Sequence, residues 1–392
     1  MVNNELIIIG VDVKNESPLD RFIMMLYENK IQFKLICNTY EGNLQQELVH
    51  SIKINRKLDV KKAKAGIALF KHDFSNFYFQ IKAIAYISEY IDKNKNNYIL
   101  LPFLHMGDFT PLHVAEKVNE NKNCQIWIHT VDPLPSVIGW GEKQIFRKAV
   151  VKTIQSAFDK ASFFSANNPQ MTDYQTKLMK FKGHTFTMYS LSNIVQNSDV
   201  KLNQPTENKV VFTYAGSFYG KRTPDQLIYS FASILDNNPN LNYYLEFYGN
   251  HSININDFKL SEFSMSRISI HGYAKNIKEI LSFSDILIDI DANIKDDVFM
   301  SGKIVEYLGF TKPILVISPE NSPTNQLFNG KSHKCGVFIS DYNIENLKNT
   351  IIKVASEIKY PTWDLKERDE VLKLFSPEQN LNIIKEVFNS LK

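Results

Sequence analysis

The chain has 392 residues, enough for two domains with cores of their own, and its 44% hydrophobic and 22% charged residues are ordinary globular usage, which excludes a disordered or low-complexity protein. The formal charge of +3 is modest and no nucleic-acid-binding motif accompanies it, so nucleic acid is not expected as a partner. Cys37, Cys124 and Cys335 are odd in number, widely spaced and form no CxxC, which argues against a disulfide framework or a zinc site and for small core residues in a reducing compartment.

In chain order, ELIIIGV reads as the first strand: no basic region precedes it and it is too short to span a bilayer, so a cytoplasmic protein is expected. A helix over Leu19 to Asn29, strand FKLIC, a long helix from about Phe74 to Lys93, strand YILLPF, helix Leu112 to Asn119 and strand QIWIH follow. Helix Glu142 to Asp159, strand SFFSA and helix Met171 to Lys180 complete the first half. The polar stretch 196 to 209 lacks apolar periodicity and reads as an interdomain linker. The second half alternates VVFTYA, helix 224 to 236, YYLEFYG, ISIHG, helix 276 to 283, DILIDI, helix 302 to 310, PILVI, GVFIS and helix 344 to 357. Strand alternating with helix predicts an α/β protein with two doubly wound parallel sheets, in domains over 1–197 and 206–376. After Ser376-Pro377-Glu378-Gln379, a good helix start, Leu381, Ile384, Phe388 and Leu391 fall on one face that must be buried.

Charge is uneven along the chain. Residues 1 to 200 hold 24 Lys and Arg against 19 Asp and Glu, the remainder 21 against 23. Arg56, Lys57, Lys61, Lys62, Lys64 and Lys71 cluster just before an aromatic group of Phe74, Phe77, Tyr78 and Phe79. Basic residues beside aromatics suit a peripheral contact with an anionic membrane or a lipid-linked acceptor; the plainer reading is a solvated loop before a core helix.

Two segments carry chemistry. VVFTYA runs into the loop Gly216-Ser217-Phe218-Tyr219-Gly220-Lys221-Arg222 and then Thr223-Pro224-Asp225-Gln226, which resembles a capping box with proline at the first helical position. Strand, glycine-bearing loop and helix start is a phosphate-cradling order, with Lys221 and Arg222 supplying charge. In SGKIVEYLGFTKPILVI, a helix opening on Ser301-Gly302-Lys303 combines free backbone N–H groups with a cation, and Glu306 lies one turn along the same face, where a carboxylate can accept from a ribose diol. The alternative is an ordinary crossover helix with a solvated polar face. Asp289-Ile290-Asp291 has the letters of a metal-binding DxD, but it ends a strand and reads as an acidic strand end facing water or a helix start, so no metal is expected.

This second half resembles the nucleotide-binding domain of glycosyltransferases with the two-Rossmann-domain B fold, particularly the large family 4 and its relatives. Those proteins carry a Gly-x-x-Tyr-Gly-x-Arg-like loop and later a Lys-x-x-Glu-Tyr-x-x-x-x-Lys-Pro-like segment, matched here by Lys303, Glu306, Tyr307, Lys312 and Pro313. The resemblance covers roughly 209 to 318 well and the first half only in outline. It implies two Rossmann-like domains facing a central cleft, with the helix of 377–392 returning to the N-terminal domain. It also implies a nucleotide diphosphate sugar as donor, UDP-sugar first, with Gly216, Lys221, Arg222, Ser301, Gly302 and Lys303 at the diphosphate and Glu306 on the ribose.

One departure stands out. Many retaining members have an acidic residue eight positions before the ribose-binding glutamate; here that position is Val298, and a one-residue shift would bring Asp297 into its place. On the acceptor side, residues just after strands are the candidates: Asp12, His105 and Asp108, and above all His129 and Asp132, because HTVDP resembles the place where relatives carry an acceptor-side or sugar-contacting His or Asp. Asp132 is the first choice for a general base; a strand-end histidine and an aspartate before Pro133 are also ordinary structural features. The expectation is a metal-independent glycosyltransferase acting on an oligosaccharide or lipid-linked glycan in surface polysaccharide synthesis. A non-catalytic partner subunit and a nucleotide-sugar epimerase are the rival readings.

Overall fold

The computed structural model describes residues 4–53, 65–94, 96–105, 108–122, 124–140, 144–192, 209–250, 253–359 and 361–391. Two compact units divide the chain: Met1–Ser136 with Glu142–Leu191 and Pro377–Lys392, and Val137–Gly141 with Ser192–Ser376. Residues 137–141, which the sequence reading leaves in the first domain, belong to the second unit. The expected linker lies outside the described residues except for Lys209, as do Arg56, Lys57, Lys61, Lys62 and Lys64.

The first unit contains strands β1 (Asn4–Ile9), β2 (Asp12–Val13), β3 (Phe33–Cys37), β4 (Thr39–Tyr40), β5 (Val49–Ser51), β6 (Asn97–Leu104), β7 (Gln125–Thr130), β8 (Phe163–Ala166) and β9 (His184–Thr187). Helices α1 (Pro18–Glu28), α2 (Ala65–Lys93), α3 (Thr110–Lys122), α4 (Gln144–Lys160) and α5 (Pro169–Leu178) alternate with them. Seven strands form one parallel sheet in the order β5-β3-β1-β6-β7-β8-β9, and β2 pairs with β4 beside it. Strands β1, β6 and β7 are apolar and buried almost end to end, as a sheet covered on both faces requires. Sequence fixes several starts locally: Ser17 accepts from Asp20 N at 3.2 Å and Asn168 from Met171 N at 2.8 Å, each followed by proline at the first helical position. Helix α2 begins nine residues before the expected Phe74. Among the described residues no helix is long and apolar enough to cross a membrane.

The second unit contains β10 (Val210–Ala215), β11 (Tyr243–Tyr248), β12 (Ile268–His271), β13 (Ile286–Ile290), β14 (Ile314–Ile317) and β15 (Val337–Ser340), parallel in the order β12-β11-β10-β13-β14-β15. Its helices are α6 (Asp225–Asn237), α7 (Glu262–Met265), α8 (Ile277–Phe283), α9 (Gly302–Leu308), α10 (Pro323–Leu327), α11 (Ile344–Glu357) and α12 (Leu365–Lys373). The strand order reverses between β10 and β13, so the loops leaving these two neighbours diverge and open a crevice at their carboxyl ends. Buried Arg368, from the charged helix α12, donates to the carbonyls of Cys335 at 2.7 Å, Lys312 at 3.0 Å and Phe310, pinning the corner between α9 and β14. Lys312 is buried there too, on the carbonyls of Ser282 and Ser284.

Helix α13 (Pro377–Asn389) returns to the first unit. Ile384 and Val387 are fully buried in its core, with Leu381, Phe388 and Leu391 packed at the edge, and Asn4 Nδ2 donates to Phe388 O at 3.2 Å. Two fully buried aliphatic side chains are together worth roughly 3–6 kcal/mol, which fastens this chain end firmly.

Candidate functional site

At the switch point of the second unit, β10 ends at Ala215 and Gly216 takes φ +151°; a Cβ there would lie 2.4 Å from Lys303 Cε, so only glycine lets the lysine pass this close. The loop tightens over 219–222, where Gly220 (φ +60°) lets Arg222 N reach Tyr219 O at 3.1 Å. This turn delivers the Arg222 guanidinium inward. It is 3% exposed, 5.1 Å from the Tyr219 ring and 5.6 Å from the Phe299 ring, and Nη1 donates to the Tyr219 hydroxyl at 3.1 Å. Nε and Nη2 have no hydrogen-bond partner among the described residues. Two buried cationic donors without acceptors are costly, and an anion is the group that relieves them. Lys221, by contrast, is exposed, and Asn293 N donates to its carbonyl at 3.2 Å.

The other wall is β13 and the start of α9. Ser301 caps that helix: its Oγ accepts from Lys303 N at 3.3 Å and donates to Asp289 Oδ1 at 2.9 Å. Lys303 Nζ lies 3.6 Å from Asp289 Oδ1 and 5.1 Å from the centre of the Tyr214 ring. Burial pulls the Lys303 ammonium below its ordinary range, Asp289 and Asp291 opposing and Arg222 reinforcing. Tyr307, one turn on, accepts from Ala215 N at 3.3 Å and so ties α9 to the root of the 216–222 loop. Glu306 is half-buried on the same helix, and Gly302 is exposed. The motif residues Gly216, Arg222, Ser301 and Lys303 thus converge, with Lys221 turned outward.

Two expectations need correction. Asp289 and Asp291 do not face water: both are buried, because β13 is an interior strand and its carboxyl end is roofed by Lys303, Ser301 and Ser318. Ser318 donates to Asp291 Oδ2 at 2.7 Å, and burial together with the Asp289 charge raises the Asp291 pKa to about 6. The capping box at Thr223 is not made either; α6 starts at Asp225 with Pro224 as its cap and no side-chain bond. Among the described residues no group of three or more His, Cys, Asp or Glu is placed to hold a metal ion.

Val298 is buried, and neighbouring Asp297 is engaged: its Oδ1 accepts from Trp140 Nε1 at 3.0 Å and from Phe299 N at 3.2 Å. Trp140 also stacks on Tyr219 (5.9 Å, 26°) and meets Phe299 edge-on (6.2 Å, 71°), so it backs both rings that flank Arg222.

In the first unit, His129 lies inside the sheet at 2% exposure, its Nδ1 2.9 Å from Ser165 Oγ, and Ser165 Oγ accepts from Trp127 Nε1 at 2.9 Å. Burial, then the His105 charge, lowers its pKa to about 3. A histidine so enclosed is a structural neutral residue, which removes it from direct contact with an acceptor. Asp132 and His105, half-buried at the ends of β7 and β6, are close enough to interact: burial lowers the His105 pKa and Asp132 and Asp108 raise it. Asp108 caps the start of α3 through Thr110 N at 3.0 Å, and Asp12 accepts from Asn38 at 2.8 Å and Thr39 at 2.9 Å.

No protein-family model and no curated protein matches the chain by sequence. Solved structures match over nearly its whole length. The lipopolysaccharide outer core galactosyltransferase WaaB is 12% identical, with 97% of this chain and 99% of that one covered at a TM-score of 0.61. Sucrose-phosphate synthase from Thermosynechococcus elongatus is 12% identical, with 99% of each covered and a TM-score of 0.67. S. aureus TarM, in a complex containing UDP, is 11% identical, with 99% of this chain and 100% of that one covered at 0.65. The chain has the glycosyltransferase B fold.

Within that B fold, the second unit carries the expected loop and helix start, and α13 is the returning helix. Sequence reasoning missed Trp140, Tyr219 and Phe299 as the aromatic frame of Arg222, and Asp289 as the partner of Lys303. Tyr219 stands in the Gly-x-x-Tyr-Gly-x-Arg-like loop and Asp289 in the Asp289-Ile290-Asp291 pattern, where alternate residues of a strand share one face; Trp140 and Phe299 carried no signal.

Proposed function

We propose that the protein is a glycosyltransferase that moves a sugar from a nucleotide diphosphate sugar, UDP-sugar first, to a hydroxyl of an oligosaccharide or lipid-linked glycan. The observation that carries this reading is the Arg222 guanidinium, buried with two unpartnered donors beside Lys303 at the switch point of a parallel sheet. As the glycosidic bond breaks, the departing diphosphate gathers negative charge, and fixed cations stabilise it without reorganising. Glu306, one turn beyond Lys303, is assigned to the ribose diol. On the acceptor side Asp132 is the general base, with His105 beside it. The charge on the leaving group is met by side chains, so no divalent ion is required. Exposed Phe77, Tyr78, Ile81 and Lys82 on α2 support work at the inner face of a membrane, in the assembly of a surface glycan.

Calorimetry with UDP and GDP, beside uridine and guanosine, tests this. Arg222→Ala and Lys303→Ala should each weaken the diphosphate by about 1.5–3 kcal/mol and leave the nucleoside unchanged, since they meet only phosphate. Glu306→Gln should weaken both ligands. Absence of diphosphate binding by the wild type, or equal losses for diphosphate and nucleoside in the two cation variants, refutes the assignment.

The buried Val298 and the engaged Asp297 favour one second reading, a non-catalytic relative serving an active transferase. Such a protein binds UDP but releases no UDP from any donor sugar in a panel of UDP- and GDP-sugars, even with mixed glycan acceptors.

A further inference from the structure

We infer that Asp289, on the inner face of β13, is a positioning residue: it holds the Lys303 side chain at the anion-facing edge of the site and keeps it a cation there. This inference rests on the donor-site reading for its functional meaning, but the relationship itself stands on geometry. Asp289 is 0% exposed in a strand interior, where a carboxylate needs compensation. Two groups supply it at one oxygen: Ser301 Oγ donates at 2.9 Å and Lys303 Nζ lies at 3.6 Å. Ser301 also receives the Lys303 backbone N–H at 3.3 Å and lies 3.5 Å from Nζ, so backbone and ammonium of one lysine are referred to the same Ser301–Asp289 pair. Oδ2 of Asp289 has no hydrogen-bond partner among the described residues.

Lys303 has little else to keep it charged. Its side chain is 18% exposed; the loop after β10 presents Arg222, a like charge, and the Gly216 backbone, and β10 itself presents the Tyr214 ring. Its own helix carries Ser301, Glu306 and Tyr307, and β13 and the residue after it carry Asp289 and Asp291. Burial comes first among the influences that lower its pKa, and Asp289 first among those that restore it. A lysine that loses its proton in such a pocket no longer offers a charge to a diphosphate.

Asp289→Asn separates charge from capping, because the amide oxygen still accepts from Ser301. Competitive acetylation read by mass spectrometry reports the free-base fraction of each lysine without any nucleotide. In Asp289→Asn, the reactive fraction of Lys303 at about pH 8 should rise about tenfold or more over wild type, the equivalent of one pKa unit. Asp289→Ser, smaller and also neutral, repeats the test should the amide variant not fold. An unchanged Lys303 reactivity in a folded neutral variant overturns the inference, since a purely structural aspartate would behave so. Calorimetry with UDP adds the functional arm. Between about pH 7 and 8.5, where the terminal phosphate is already ionised, affinity in Asp289→Asn should fall with rising pH and binding should take up a proton, while wild type does neither. In a Lys303→Met background, Asp289→Asn should add no pH dependence. If wild type binds neither UDP nor GDP while the acetylation result holds, the donor-site reading fails and the positioning of Lys303 by Asp289 stands.

Discussion

Trp140 donates its indole N–H to Asp297 at 3.0 Å, joining residues 157 positions apart. The same ring stacks on Tyr219 and abuts Phe299, the two aromatics that hold the Arg222 guanidinium, so Trp140 braces the cation from behind. Trp140→Ala should weaken UDP about tenfold without changing uridine affinity, because cation–π and stacking support near a buried guanidinium is worth about 1–2 kcal/mol. Trp140→Phe keeps a ring but leaves Asp297 with one donor fewer in a buried place; it should lose less affinity while lowering the melting temperature. Calorimetry and thermal melts on both variants decide it, and full UDP affinity in Trp140→Ala would detach the aromatic frame from the site.

Why some of this was readable in advance and some was not follows from how far apart the partners are. Long apolar runs such as ELIIIGV and QIWIH announce interior parallel strands by themselves, and Asn343 at the head of α11 announces a helix start. Strand β9, HTFT, and helix α12, LKERDEVLK, carry no such signal: the first is short and half polar, the second mostly charged and held by a single buried arginine. Gly216, Arg222, Ser301 and Lys303 were legible because loop and helix start are local motifs. Trp140, Phe299 and Asp289 enter the candidate site only through contacts with distant segments. His129 erred the other way, since its neighbour Ser165 comes from the adjacent strand and nothing near HTVDP reveals it.

His129 makes the stability of the protein sensitive to acid. In the folded chain it takes a proton only at about pH 3, whereas in the unfolded chain it does so near its ordinary value of about 6.5. Between these limits the unfolded state binds one more proton than the folded one, so stability falls as pH drops, by up to about 1.4 kcal/mol per pH unit from this group. Above the unfolded value the effect is absent. Denaturant unfolding at stepped pH from about 4 to 7 should show a shallower slope for His129→Asn, by close to one proton, whatever its overall stability. Parallel slopes would mean that His129 titrates freely in the fold.

Turnover should survive chelation. On the proposed donor reading, Arg222 and Lys303 supply the charge that a divalent ion would otherwise bring to the leaving diphosphate, and each of the two buried carboxylates at the end of β13 already has one oxygen engaged, Asp289 Oδ1 by Ser301 and Lys303 and Asp291 Oδ2 by Ser318. The assay is donor consumption with excess EDTA, followed by magnesium or manganese. Loss of activity restored by either ion would bring Asp289 and Asp291 back as ligands.

The last prediction concerns helix α2. Phe77 is 57% exposed, Tyr78 53% and Ile81 49%; Phe77 and Ile81 are four residues apart, as are Tyr78 and Lys82, so the four share one surface, and the Lys82 ammonium lies 5.7 Å from the Tyr78 ring. Three large apolar side chains kept in water beside a lysine suit the boundary of an anionic bilayer, where rings enter the headgroup region and ammonium groups meet lipid phosphates. Phe77→Glu with Ile81→Glu should therefore abolish co-sedimentation with vesicles containing phosphatidylserine, while UDP affinity stays unchanged because these residues belong to the other unit. Wild-type binding should weaken with salt, since each basic residue near such a surface contributes about 1 kcal/mol that is screened within about 10 Å at 0.1 M salt. Lys61, Lys62 and Lys64, adjacent in sequence, reversed to Glu, should weaken it further at low salt. If the double variant sediments with vesicles as wild type does, the exposed face of α2 serves something other than a membrane, and a soluble glycan becomes the acceptor to test.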